Sequence, residues 1–152
     1  MKLTTPLILF ITISLILTLS YALVSQEQAE ESPYCTGIYA NYTRTLVVNV
    51  VDGDTFDISS DHRVRIICID APERWESGYE ESKEALRDLI YRKYVCLEKD
   101  ISEVDRYGRL LRYVHICLDD ECSKGMNIGN YLVENGFAVV YRFEPDVRGC
   151  LM

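Results

Sequence analysis

The stretch VVDGDTFDI, residues 50–58, sets two aspartates on either side of one glycine, between runs of β-forming residues. Upstream, TLVVNVV (45–51) is apolar and β-branched; downstream, TFDI (55–58) alternates apolar and polar positions. The pair reads as a hairpin turning at Asp52-Gly53-Asp54. Two like charges at one tight corner repel, so something must neutralise them. A third strand follows in HRVRIICID (62–70), where charged and apolar side chains alternate and then run continuously apolar, as in a strand covered on both faces. Pro72 ends it, having no N–H to give a ladder.

Further along, YEESKEALRDLIYRKY (79–94) places Leu86, Leu89, Ile90 and Tyr94 near helical spacing behind an acidic first turn. YVCLEK (94–99) and LLRYVHICL (110–118) read as strands on either side of a polar loop containing DRYGR (105–109). NIGNYLVENG (127–136) is a short helix capped by Asn127, with Ile128, Tyr131 and Leu132 inward and Gly136 as its stop. FAVVYRF (137–143) is the last strand. With no βαβ alternation the class is α+β, and a sheet this small hides its edges best by curling up. The expected fold is a five-stranded OB-type antiparallel β-barrel with two packed helices.

The chain has 152 residues, 48% hydrophobic and 26% charged, which excludes a disordered protein. Residues 3–24 carry no charge and follow Lys2, with Ser20 and Ala22 in the small-x-small spacing of a cleavage site. Residues 1–24 therefore read as a signal peptide or a membrane anchor through the segment 3–24, residues 25–33 as a polar linker, and 34–152 as one domain. Either fate of the leader places the domain outside the cytoplasm. All six cysteines follow the leader, as expected of disulfides in an oxidising compartment, and the turn-forming centre of CLDDEC favours a Cys117–Cys122 bridge. The net charge of −8 repels polyanions at long range, so basic composition gives no support to a nucleic-acid partner.

In RIICIDAPE, Arg65 precedes Asp70 and Glu73 follows it. If the DGD corner and the end of the third strand share a barrel rim, Asp54, Asp70 and Glu73 converge, which is costly without a cation or an arginine. Hard oxygen donors of this kind suit calcium. The bland alternative is that each acid caps its own turn and that DRYGR is a charged loop pairing Asp105 with an arginine.

Taken together, VVDGDTF, VRIICIDAPE, GYEESKEAL, DRYGRLLRYV and MNIGNYLVENGFAVV occur in an order and spacing that resembles the staphylococcal nuclease (thermonuclease) family, from about Leu46 to Tyr141. The resemblance implies an OB-fold barrel with packed helices and calcium-dependent cleavage of DNA and RNA, the substrate being single-stranded or locally open, with no obligate protein partner. It makes Asp54 and Asp70 direct ligands of Ca2+, with the backbone carbonyl of Ala71, where the family often has threonine, as a further ligand and Asp52 acting through water. It gives Glu73 the role of orienting or deprotonating the attacking water, Arg65 and Arg109 that of binding phosphate, and Tyr107 and Tyr141 a place in the nucleotide pocket. Arg65, Arg74, Arg106, Arg109 and Arg112 gather around these motifs and are expected on one face. The family's third, C-terminal helix is not expected, because Pro145 and Gly149 interrupt the residues after Tyr141; a tether from Cys150 to Cys35 is expected to offset its loss. The competing reading is a noncatalytic OB-type module binding nucleic acid or a protein.

Overall fold

The computed structural model describes residues 34–151 and, before them, Ser14 alone. The leader and linker expected over residues 1–33 otherwise lie outside the described residues. Along the chain come β1 (Thr43–Val50), β2 (Thr55–Ile58), β3 (Arg63–Ile66), β4 (Ile69–Asp70), α1 (Tyr79–Ile90), β5 (Tyr94–Val104), β6 (Leu110–Cys117), β7 (Gly125–Asn127), α2 (Ile128–Glu134) and β8 (Val139–Val140).

Strand β1 pairs antiparallel with β2 on one side and β5 on the other; β2 continues to β3, and β5 to β6. The ring closes where β3 runs parallel to β6, with Val64 opposite Leu110 and Ile66 opposite Arg112. Strand direction cannot alternate at every step around a ring with an odd number of strands, so the expected all-antiparallel barrel is corrected at this one seam. Each barrel strand sends one side chain without exposed surface into the interior: Val47, Phe56, Val64, Val95 and Val114. Helix α1 adds Leu86 and Ile90 to this core, and α2 adds Ile128 and Leu132.

Helix α1 stops at Ile90 rather than reaching Tyr94. The exit is taken up by β1, since Arg92 N–H donates to Val47 O (3.1 Å) and Val47 N–H donates to Lys93 O (3.0 Å). Lys93 Nζ then caps the helix by donating to the carbonyls of Asp88 (2.7 Å) and Leu89 (3.0 Å). Tyr94 consequently opens β5 and is exposed. At α2 the expected cap is present, Asn130 N–H donating to Asn127 Oδ1 at 2.9 Å, but Gly129 and not Tyr131 takes the buried position beside Ile128 and Leu132.

The third strand does not run unbroken through 62–70. It parts at Ile67-Cys68, where Cys68 takes a φ of 70°, and β4 leaves the barrel to pair with β8. Because β3 and β6 have already closed the ring, FAVVYRF finds no barrel edge to join, and only Val139–Val140 forms ladder pairs. Residues 141–151 contain no helix, as Pro145 and Gly149 suggest.

The Cys117–Cys122 bridge forms as expected, whereas Cys150 bonds to Cys68 and Cys35 to Cys96. The expected Cys150–Cys35 tether is wrong for a topological reason. The N-terminal segment folds back on β1, with Cys35 N–H donating to Tyr42 O (3.0 Å), and so meets β5, where Cys96 faces Arg44. The tail instead crosses β6, Gly149 N–H donating to Tyr113 Oη at 2.7 Å, and reaches the β3–β4 corner. Loop-closure entropy ranks these bridges. Removing Cys35–Cys96 or Cys68–Cys150, with sequence separations of 61 and 82, should cost about 4 kcal/mol each in urea unfolding, against about 2 kcal/mol for Cys117–Cys122 with its separation of 5.

Candidate active site

The β1–β2 turn is organised by its own first aspartate: Asp52 Oδ1 accepts the Asp54 N–H at 3.1 Å. Between them Gly53 lies directly under α1, where a Cβ would stand 1.9 Å from Ser82 Oγ. No other residue fits, and Ser82 is fully buried with its Oγ unpartnered. The glycine of DGD is therefore required by close packing of the helix on the turn.

Asp54 points inward and is only 6% exposed. Its carboxylate accepts from Thr55 Oγ1 (2.8 Å) and from the Ala71 N–H (3.0 Å). Arg65, whose backbone lies opposite Thr55 on β3, brings Nη2 to 3.1 Å from Asp54 Oδ2 and 3.0 Å from Asp70 Oδ1. One guanidinium thus bridges the buried carboxylate and the half-exposed one. Even so, burial pushes the Asp54 carboxyl up to about 6, with Arg65 opposing the shift and Asp52 adding to it.

DRYGR is held in shape by Asp105, whose Oδ1 accepts from the N–H groups of Tyr107 (2.9 Å) and Arg109 (3.0 Å) while Gly108 takes a φ of 81°. Asp105 Oδ2 also pairs with Arg109 Nε at 2.7 Å, fixing the guanidinium so that Nη1 lies 3.4 Å from Thr55 Oγ1. The parallel register sets Val64 opposite Leu110, so Arg109 enters β6 beside the start of β3 and its guanidinium reaches Thr55, the residue opposite Arg65. Thr55 then links the two motifs, donating to Asp54 and accepting from Arg109.

Glu73 stands on the exposed segment before α1, its backbone N–H donating to Glu76 Oε2 at 2.8 Å. Asp54 and Asp70 meet at Arg65, but among the described residues no three His, Cys, Asp or Glu side chains form a group able to hold a metal ion. Tyr107 is exposed, with the guanidinium of Arg106 at 4.7 Å and that of Arg109 at 5.5 Å from its ring. A groove of about 620 Å³ is lined by Arg65, Arg106, Arg109, Tyr107 and Tyr141, and also by Phe143. Phe143 was missed on sequence grounds, although its spacing of two from Tyr141 is the signal that puts both rings on one side of an extended chain. Arg112 does not share this face. It alternates with the groove-lining Leu111, is buried, and donates to the carbonyl (3.1 Å) and carboxylate of Glu103.

The family model described as "Staphylococcal nuclease homologue" matches residues 63–149, more than half of the chain. The chain belongs to this family. Among its relatives, a protein named "Micrococcal nuclease" from Shigella flexneri is 36% identical over 105 residues, covering 66% of this chain and 59% of that one. "Protein ParB" of Escherichia coli is 35% identical over 105 residues, with 66% and 58% covered. "Thermonuclease" of Staphylococcus hyicus is 32% identical over 125 residues, with 74% and 70% covered. The chain thus spans less than two thirds of the first two relatives.

The raised Asp54 carboxyl makes a stability prediction. Its folded value of about 6 lies above its ordinary 3.8, so the neutral acid is favoured in the folded state and the cost of ionisation is fully present above about pH 6. In buffer free of divalent cations, Asp54→Asn should raise the unfolding free energy at pH 7.5 by roughly 2 to 3 kcal/mol, and the gain should disappear by pH 4. Urea denaturation at the two pH values reads it; an equal effect at both would refute it.

Proposed function

We propose that this staphylococcal nuclease homologue is a calcium-dependent nuclease that hydrolyses phosphodiester bonds of DNA and RNA outside the cytoplasm. The observation that carries the reading is the convergence of Arg65 and Arg109 on the Asp54–Thr55 pair at one end of the barrel. The donor set fits a hard divalent cation. A buried carboxylate that resists ionisation gains from a cation beside it, and Asp70 supplies a second hard oxygen within reach of the same guanidinium. Asp54, Asp70 and the Ala71 carbonyl would hold calcium, with Asp52 acting through water. When bound, calcium adds positive charge beside the scissile phosphate.

The chain's own residues do the rest. Arg65 and Arg109 take the non-bridging phosphate oxygens with planar forks suited to two contacts each. Both are held by carboxylates before substrate arrives, so little reorganisation is needed as negative charge builds up. Glu73 orients the attacking water and accepts its proton at a carboxylate oxygen. Tyr107 and Tyr141 offer exposed rings on which bases stack, which requires unstacked nucleotides and hence single-stranded or locally open substrate. The oxidising location is supported by the three bridges that take up all six cysteines.

Cleavage of single-stranded DNA and RNA, followed with calcium and with chelator, tests this reading. Activity should vanish with chelator, fall about 10²–10³-fold in kcat for Arg65→Ala or Arg109→Ala, and fall about 10²–10⁴-fold for Glu73→Ala. Substrate binding should weaken steeply with added salt as phosphate contacts are lost to counterions. No cleavage at any calcium concentration would favour a noncatalytic binding module using the same groove.

A further inference from the structure

The segment after β8, of which the nuclease reading uses Tyr141 alone, supplies one wall of the groove and is anchored at several points. Tyr141 and Phe143 lie nearly parallel, 9° between planes and 6.4 Å between centroids, and both are largely exposed. Two parallel aromatic faces open to water in a groove shared with three arginines form a platform for a planar, negatively linked ligand. What holds them there is Asp146, which is 4% exposed although it carries a charge. Its Oδ1 accepts from the N–H groups of Ile101 (2.9 Å) and Ser102 (2.7 Å). Those donors lie where the β5–β6 ladder is interrupted between Lys99 and Val104, so the carboxylate satisfies a stretch of backbone that β6 leaves unpaired. The Asp146 N–H donates to Phe143 O at 3.1 Å, closing the turn that presents the ring. At the other end of the wall, Tyr141 N–H donates to Cys68 O at 2.9 Å, and Cys68 is bonded to Cys150.

We propose that Asp146, together with the Cys68–Cys150 bridge, is a positioning element for substrate binding: it fixes Tyr141 and Phe143 as a preformed base-stacking wall and so sets the affinity for a single-stranded nucleic acid. A wall free to move must be ordered each time substrate binds, and that entropy is subtracted from affinity. Asp146 touches no reacting group, so its loss weakens binding and leaves the chemical step alone.

The inference rests on the nuclease reading, and the test separates the two. Steady-state cleavage of a single-stranded oligonucleotide is measured for wild type, Asp146→Ala, Asp146→Asn, Phe143→Ala, the Asp146→Ala/Phe143→Ala pair and Cys68→Ala/Cys150→Ala, with direct binding of the fluorescein-labelled oligonucleotide alongside. Asp146→Ala, Phe143→Ala and the cysteine pair should each raise KM and Kd about tenfold, the value of one base–aromatic stack, with kcat within about twofold. Asp146→Asn keeps an Oδ1 able to accept both N–H bonds and should restore wild-type KM. The Asp146→Ala/Phe143→Ala pair should be clearly less than additive, because Asp146 acts in part through Phe143. Unchanged KM and Kd in Asp146→Ala, a loss confined to kcat as a merely structural role would give, or fully additive effects would each overturn the proposal. If wild type binds the oligonucleotide without cleaving it, the nuclease reading fails and the Kd series alone decides the positioning role.

Discussion

Strand β3 meets β6 in parallel, and this seam is the constraint from which the site follows. Hairpins alone join β1 to β2 and β2 to β3, and would leave β3 and β6 as open edges. Closing them satisfies both edges and fixes the register of Val64 against Leu110. Arg65 then stands within β3 opposite Leu111, and Arg109 enters β6 two positions earlier, near enough for both side chains to reach the Asp54–Thr55 pair. Two segments more than forty positions apart in the chain are thus brought within one hydroxyl of each other, that of Thr55. A slip of one residue at the seam would turn the side chains of one strand to the opposite face and break the pairing of the motifs without altering either sequence.

The charge balance around Asp54 is deliberately uneven. Burial disfavours the carboxylate, Asp52 opposes it further, and the single guanidinium of Arg65 is shared with Asp70, so compensation is incomplete and the carboxyl stays near 6. An incompletely compensated buried anion is a poor contributor to stability and a good receptor for positive charge. The same logic removes the difficulty posed by a net charge of −8. Arg112 is spent on Glu103, but Arg65, Arg106 and Arg109 all line the groove, and at close range the local charge of the groove outweighs the total.

Alternation and turn chemistry were enough to read the barrel strands and both helices, because each of those segments states its own period. The DGD corner, the Asn127 cap and the Cys117–Cys122 bridge are likewise local, their partners lying within a few residues. What the sequence did not disclose is non-local. The break at Ile67-Cys68 interrupts a run that is apolar throughout, and beyond it the chain finds partners far along the sequence, β4 pairing with β8 and Cys68 bonding to Cys150 across 82 positions. Helix α1 looked a turn longer than it is because YRKY continues the pattern, while the decision to stop belongs to β1, which captures Arg92 and Lys93. In the site, the meeting of Asp54 and Asp70 with Arg65 was legible because the three lie on or beside neighbouring strands; Phe143 was not, since its place depends on a tail with no period of its own.

That tail is held by polar and covalent ties around a small apolar cluster in which Val147 and Cys150 pack with Ile67, Cys68, Leu111 and Tyr113. Tyr113, buried on β6, accepts from Gly149 N–H and donates to Asp100 at 3.0 Å; burial pushes its hydroxyl up to about 12, so the proton needed for that donation stays in place. Gly149 fits because a Cβ there would come within 2.9 Å of the Tyr113 ring. Arg148 adds contacts to Glu98 (3.3 Å) and Asp100 (3.6 Å), but it is largely exposed and contributes little by itself. The weight falls on Cys68–Cys150, on Tyr113 and on Asp146, and the three share a geometric property. Each joins the tail to a different barrel strand or corner: β3–β4, β6 and β5. Three directional ties spread over the surface around that cluster fix the chain's path. A path fixed in this way carries the exposed rings of Tyr141 and Phe143 along the groove that Arg65, Arg106 and Arg109 also line.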